Sequence, residues 1–180
     1  MKRAVRIILC ILFLVTITSC IYPAIFLGRT ADGRIVDADT GQPIEGVVVL
    51  GIYYNEYGTP GGIVRRFHDA QETVTDKSGD FVISGTDILI FKAGYEYIDF
   101  MPNTLREGRG RRMGVKWEGG KAIIPLKKLT WEKMKRRLGP PDPPAEAPFE
   151  KVKCYLRELN KERVQKGLKP RGTWGGVTYE

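Results

Sequence analysis

The chain has 180 residues, 42% of them apolar and 28% charged, with a formal net charge of +8. That length suits one domain of ordinary size, and the composition excludes wholesale disorder. One histidine, His68, and three cysteines, Cys10, Cys20 and Cys154, exclude a multi-His or multi-Cys zinc site and any Ser-His-Asp or Cys-His machine that does not use His68 as its base.

The N-terminus carries Lys2, Arg3 and Arg6, then an apolar run over 7–17, then Thr18, Ser19 and Cys20. A basic segment, a short apolar core and small residues before a cleavage point have the layout of an export signal. Ile17-Thr18-Ser19-Cys20 resembles the lipobox of bacterial lipoproteins. The resemblance implies cleavage between Ser19 and Cys20, acylation of the Cys20 thiol, a signal peptide over 1–19 and an anchor linker over 20–30. Ile21, rather than an aspartate, follows the cysteine, which by the same resemblance favours the outer membrane of a two-membraned bacterium. The competing reading is an uncleaved helical anchor over 7–27, long enough to span but interrupted by Pro23. Both readings place the remainder outside the cytoplasm on a membrane. Acyl chains contribute about 0.8 kcal/mol per buried methylene, so several on one cysteine hold firmly. With Cys10 removed and Cys20 acylated, Cys154 has no partner for an intramolecular disulfide.

From Gly33 to Leu129 the pattern alternates strand and turn. Expected strands cover 33–37, 47–54, 72–75, 80–83, 88–91, 97–100 and 121–127. Residues 47–54 are apolar on both faces and read as a central strand. Asp39-Thr40-Gly41-Gln42-Pro43 and Asp76-Lys77-Ser78-Gly79 are turns. Residues 55–62 read as a loop rich in Gly, Pro and Tyr. Pro125 places the last strand at an edge. About seven short strands at this spacing point to a β-sandwich.

Three stretches carry a family resemblance: Gly33-Arg-Ile-Val-Asp-Ala-Asp-Thr-Gly-Gln-Pro-Ile-Glu-Gly-Val-Val-Val49, Glu72-Thr-Val-Thr-Asp-Lys-Ser-Gly-Asp-Phe81, and Ile90-Phe-Lys-Ala-Gly-Tyr95. They resemble the carboxypeptidase regulatory-like domain, a transthyretin-like (prealbumin-like) β-sandwich. The resemblance implies a seven-stranded sandwich over 31–129 and a non-catalytic role, with no cofactor. Val47 stands where the family has a small Ala, Ala93 where it has Pro, and residues 53–68 exceed a tight family loop. Enzymes with related sandwiches need several histidines or an iron site of two histidines and two tyrosines, which one histidine cannot supply.

Candidate sites are few. His68 is expected to be structural. An EF-hand loop starting at Asp76 would need Gly where Phe81 stands, so no metal site is expected. Tyr53, Tyr54 and Tyr57 could form a sugar-stacking surface, which gives the alternative reading of a glycan- or peptidoglycan-binding envelope protein. Residues 103–139 hold twelve lysines and arginines against three glutamates. Such a block is either a solvated face with no dedicated partner or, outside the cytoplasm, a surface for lipid phosphates and acidic glycans rather than nucleic acid, with Arg109, Arg111 and Arg112 as candidate anion contacts.

The C-terminal part begins with a short helix over 130–139, capped by Thr130 and stopped by Gly139. A Pro-rich linker over 140–148 reads as a semi-rigid spacer. Over 149–180 a helix follows with Phe149, Val152, Leu156 and Leu159 on one face, then a tail expected to be flexible unless Trp174 and Tyr179 anchor it. A helix of that length is marginal alone in water. It is therefore expected to dock on the sandwich, or else to bind an envelope protein partner or the membrane surface.

Overall fold

In the computed structural model, residues 29–102 and 114–179 are described. Their strands are β1 (Arg29–Asp37), β2 (Val48–Thr59), β3 (Gly62–Val74), β4 (Asp80–Gly85), β5 (Asp87–Phe91), β6 (Ile98–Phe100), β7 (Lys116–Glu118), β8 (Lys121–Leu126), β9 (Thr173–Trp174) and β10 (Val177–Thr178). The helices are α1 (Trp131–Arg136) and α2 (Lys153–Gln165), the latter preceded by a 3-10 turn over Phe149–Lys151. Two four-stranded sheets, ordered β4-β1-β8-β7 and β3-β2-β5-β6, face each other. The chain is a mainly-β sandwich with a small helical extension. The signal segment, Ser19, Cys20, Arg109, Arg111 and Arg112 lie outside the described residues.

The turns form as their residues demand. Asp37 accepts hydrogen bonds from the amides of Asp39 and Thr40 and from the Thr40 hydroxyl, so an Asx-type turn carries the chain to Gly41 at φ 71°. Asp76 does the same for Ser78 and Asp80. Gly79, at φ 74°, passes so close to β1 that a Cβ there would sit 2.4 Å from the Ile35 carbonyl oxygen.

Alternation along the strands sorts side chains into two clusters. Ile35, Val47, Val49, Phe81, Ile83, Ile88, Ile90, Ile124 and Leu126 fill the space between the sheets. Val48, Leu50, Ile52, Leu89 and Phe91 face the other way and are covered by Ala147, Val152, Tyr155, Leu156, Leu159 and Tyr179. The centre of sheet β3-β2-β5-β6, Val48–Ile52 of β2 with Ile88–Phe91 of β5, is thus buried on both faces, which is why that part of β2 is apolar on both. The helix docks on the sandwich because its apolar stripe completes that second cluster.

Polar contacts lock the arrangement. The Glu72 carboxylate of β3 accepts from the amides of Cys154 and Tyr155 at the start of α2. The Ala93 amide donates to Glu158, and Lys151 pairs with Asp69. Arg137, just after α1, pairs with the buried Glu162, which also takes Lys166 at 2.9 Å. Its guanidinium lies 6.0 Å from the Phe91 ring centroid and 5.8 Å from that of Tyr97.

Four local expectations differ. Residues 55–62 are not a loop: β2 and β3 continue as one long hairpin whose turn lies at Thr59–Gly62, with Gly62 at φ 123°. Cross-strand pairs hold it, Glu56 with Arg65 at 3.3 Å and Tyr57 opposite Val64. β7 is an additional strand, making eight in the two sheets. It pairs β8 only as far as Ile123, so Pro125 sits on a locally open stretch as its missing N–H requires. The Pro-rich segment is a strap rather than a free spacer, with Pro140, Pro143 and Ala147 buried and the Pro141 carbonyl accepting from the Tyr155 hydroxyl at 2.9 Å. The tail forms the β9–β10 hairpin, pinned by the Trp174 indole N–H to the Ala147 carbonyl at 2.9 Å and by the Tyr179 ring on Phe149.

Candidate functional site

The most distinctive surface feature is built by β2 and β3. Strand β5 pairs with β2 only over Val48–Ile52. Beyond Ile52, the seven residues to Thr59 pair with β3 alone. At about 3.3 Å per residue they form a two-stranded arm reaching about 23 Å past the sheet.

A tight corner between β4 and β5 fixes the arm's base. The Thr86 amide donates to the Ile52 carbonyl at 2.8 Å, and its hydroxyl accepts from the Tyr54 amide at 3.0 Å. The two backbones pass close together there: a Cβ on Gly51 would lie 2.1 Å from the Ser84 carbonyl oxygen. Arg65 adds an electrostatic brace, 2.8 Å from Asp87 and 3.3 Å from Glu56, with its guanidinium 4.4 Å from the Tyr54 ring centroid. Burial, then the Asp87 charge, push the Tyr54 hydroxyl above its ordinary range.

Strand alternation separates the candidate tyrosines. Tyr53 and Tyr57 share one face of β2, and Tyr54 lies on the other. Tyr53 accepts a hydrogen bond from the Gln71 amide at 2.7 Å, and Tyr54 is half-buried beneath Arg65. Tyr57 is the ring that faces solvent, 49% exposed, with Arg66 5.7 Å from its centroid. His68 is the extra residue at the bulge where Tyr53 pairs with Asp69 and Tyr54 with Phe67, and it is exposed. Sequence reasoning missed Ile63, Val64 and Arg66, which share the tip with Tyr57. The signal was the β-branched pair Ile63 and Val64 with Phe67 shortly after, overshadowed by the neighbouring glycines.

The outer face of the other sheet carries a hollow of about 610 Å³, lined by Arg34, Val36, Pro43, Lys116, Ile123 and Pro125 among others. Its arginine is turned aside, bonded to Asp80 at 2.8 Å.

Several acids are engaged structurally. Hydrogen bonds from Thr40 hold Asp37 below the ordinary carboxylate range, and those from Ser78 and Asp80 hold Asp76 there. Arg34, then Lys121, do so for Asp80, and Lys151 for Asp69. Burial, then Glu72, push the Cys154 thiol up, which disfavours the nucleophilic thiolate. Among the described residues, no three His, Cys, Asp or Glu side chains gather into a metal-binding group, and no helix is long and apolar enough to cross a membrane.

No protein-family model matches the chain, and no curated protein matches it in sequence. Among solved structures, a streptococcal ancillary pilin is similar at 14% identity and a TM-score of 0.31, over 57% of this chain and 30% of the pilin. The backbone protein of group B streptococcus pilus 2b is similar at 14% identity and a TM-score of 0.32, over 57% of this chain and 42% of that one. Similarity at that level leaves the functional reading to the chain's own residues.

Proposed function

We propose that the chain is a non-catalytic lipoprotein of the cell envelope, anchored through acylated Cys20, whose carboxypeptidase regulatory-like sandwich binds or scaffolds an envelope partner. The observation that carries the reading is where the chain's reactive side chains are used. Asp37 and Asp76 hold turns, Glu72 caps a helix, Glu158 ties that helix to the Ala93 amide, and the buried Glu162 pairs with Arg137 and Lys166. Such engagement builds a rigid platform rather than an acid–base pair. The lipobox-like Ile17–Cys20 stretch gives that platform its membrane address. Anchoring at the outer membrane follows from Ile21 on the same resemblance.

Metabolic labelling with palmitate tests the anchor. The wild-type chain is expected to carry label and Cys20→Ala to carry none; label on the variant refutes acylation at that cysteine. A pull-down from detergent-solubilised envelope, with the acylated protein and a Cys20→Ser control, tests the scaffold. Recovery of one specific envelope protein supports it, and recovery of glycan alone favours the glycan-binding reading. Tyr57 is that reading's best foothold, since Tyr53 and Tyr54 are held by Gln71 and Arg65.

A further inference from the structure

We propose that the tip of the β2–β3 arm, from Tyr57 to Arg66, docks on the phospholipid surface to which the chain is anchored; this rests on the lipid anchor proposed above. The first argument is position. β1 begins at Arg29, whose register partner is Gly85. Gly85 lies against the arm's base, where a Cβ would be 3.0 Å from the Ile52 amide nitrogen. The chain therefore comes out of its anchor at the pole from which the arm projects. Eight residues, 21–28, separate Cys20 from Arg29, and even fully extended they keep β1 within about 30 Å of the acylated cysteine. An arm reaching about 23 Å from the same pole spans most of that gap.

The second argument is chemistry. The eight residues from Tyr57 to Val64 carry no charge. Ile63 is 71% exposed, Tyr57 49% and Val64 43%, an apolar cost in water that partition into the headgroup layer relieves. Tyrosine prefers such an interface, where the ring is covered and the hydroxyl stays wet. Arg66 closes the tip, against Tyr57, and makes no ion pair among the described residues. A guanidinium there faces the phosphate layer and pairs with it bidentately. Arg65, one residue nearer the turn and on the other face of the ribbon, is already committed to Asp87 and Glu56. The tip thus has the makings of an interfacial anchor: an apolar end, an amphipathic ring, and a cation on the same face as that ring.

The opposite pole provides a control. The end of β5, the Gly94 turn and the last turn of α2 gather there: the Leu129 amide donates to the Gly94 carbonyl at 2.8 Å, and a Cβ on Gly94 would reach Gln165 at 4.0 Å. Leu138, in the segment after α1, is 90% exposed and lies on this helical side, away from the arm.

The test uses the full acylated chain with Cys154→Ser and either Ile63→Cys or Leu138→Cys, labelled with an environment-sensitive fluorophore. Each is reconstituted into vesicles of phosphatidylethanolamine and phosphatidylglycerol that carry a headgroup-level quencher. The Ile63→Cys label is expected to emit further to the blue than the Leu138→Cys label and to be quenched several-fold more. Arg66→Glu is expected to reduce that quenching. Water-like emission at both positions, in a chain that still carries palmitate, overturns the docking and spares the anchor. Blue-shifted emission insensitive to the quencher means that protein covers the tip, and also overturns it. A chain without palmitate at Cys20 removes both proposals together.

Discussion

The Glu72 carboxylate is the N-cap that α2 lacks: both its oxygens accept from the Cys154 amide, at 2.8 and 3.0 Å, and one also accepts from the Tyr155 amide at 3.0 Å. Val152, at the helix's own cap position, has no side-chain acceptor to offer. A strand of the sandwich therefore satisfies the orphan amides of a helix more than eighty residues away. Its negative charge also faces the positive end of the helix dipole. Glu72→Ala is expected to cost about 1–2 kcal/mol, and Glu72→Gln less, because the amide oxygen still accepts. Urea midpoints of the variants check the order, and equal midpoints for wild type and Glu72→Ala would refute the cap.

The same contact is expected to make the sandwich and its C-terminal extension one cooperative unit. Leu156 and Tyr155 are fully buried on the outer face of sheet β3-β2-β5-β6. Leu156→Ala is expected to cost about 2–5 kcal/mol through lost contact and the cavity left behind. It should also shift the unfolding of the strands, since Leu50, Leu89 and Phe91 lose the cover above them. Hydrogen exchange resolves the point. Loss of protection in β2 and β5 as well as α2 is the expected result, and loss in α2 alone would mean that the sandwich is stable without its helix.

Much of this fold was written in local patterns. The strands of the core were legible where alternation or β-branched runs are strong, and the apolar faces of Val47–Ile52 announced a central strand covered on both sides. The Val152, Leu156 and Leu159 spacing showed the helix stripe, and the docking it implied was found. The arm was not legible, because its stability comes from cross-strand pairs such as Glu56 with Arg65 while its tip glycines read as a loop. The proline strap was missed for another reason. An extended segment has no hydrogen-bonded period of its own, so nothing in the sequence distinguishes a free spacer from one whose Pro140 and Pro143 are seated. For the site, residue types pointed to the tyrosines, but strand alternation, not composition, decides that Tyr57 and not Tyr54 faces solvent.

Gly79 and Gly41 separate close packing from backbone conformation. Both have positive φ, 74° and 71°. At Gly79 a Cβ would meet the Ile35 carbonyl at 2.4 Å and Pro43 at 3.2 Å, whereas at Gly41 nothing lies within 4 Å. Gly41→Ala is expected to cost about 1 kcal/mol from conformation alone. Gly79→Ala should cost clearly more, because the backbone of β1 must move as well. Thermal midpoints of the two variants test this, and equal losses would show that φ rather than the approach to β1 governs the turn.

Acid should weaken the fold through its turns. Asp37, Asp69, Asp76 and Asp80 are each held below the ordinary carboxylate range by hydrogen bonds or cations present only in the folded chain. A carboxylate with a depressed folded pKa stabilises the protein above its unfolded value, about 3.9, and that contribution is lost as pH falls through the folded value. Asp99 opposes them. Burial, then the nearby Asp87 charge, raise its pKa, so its ionisation weighs against the fold as pH rises through the unfolded value toward the folded one. The urea midpoint is therefore expected to be flat from neutral pH down to about pH 5 and to fall below about pH 4. Asp37→Asn and Asp80→Asn should each flatten the acid limb by removing a linked proton. Asp99→Asn should instead raise the midpoint at neutral pH and leave the acid limb in place. An acid limb unchanged in Asp37→Asn and Asp80→Asn would show that the turn carboxylates are equally well solvated in the folded and unfolded chains.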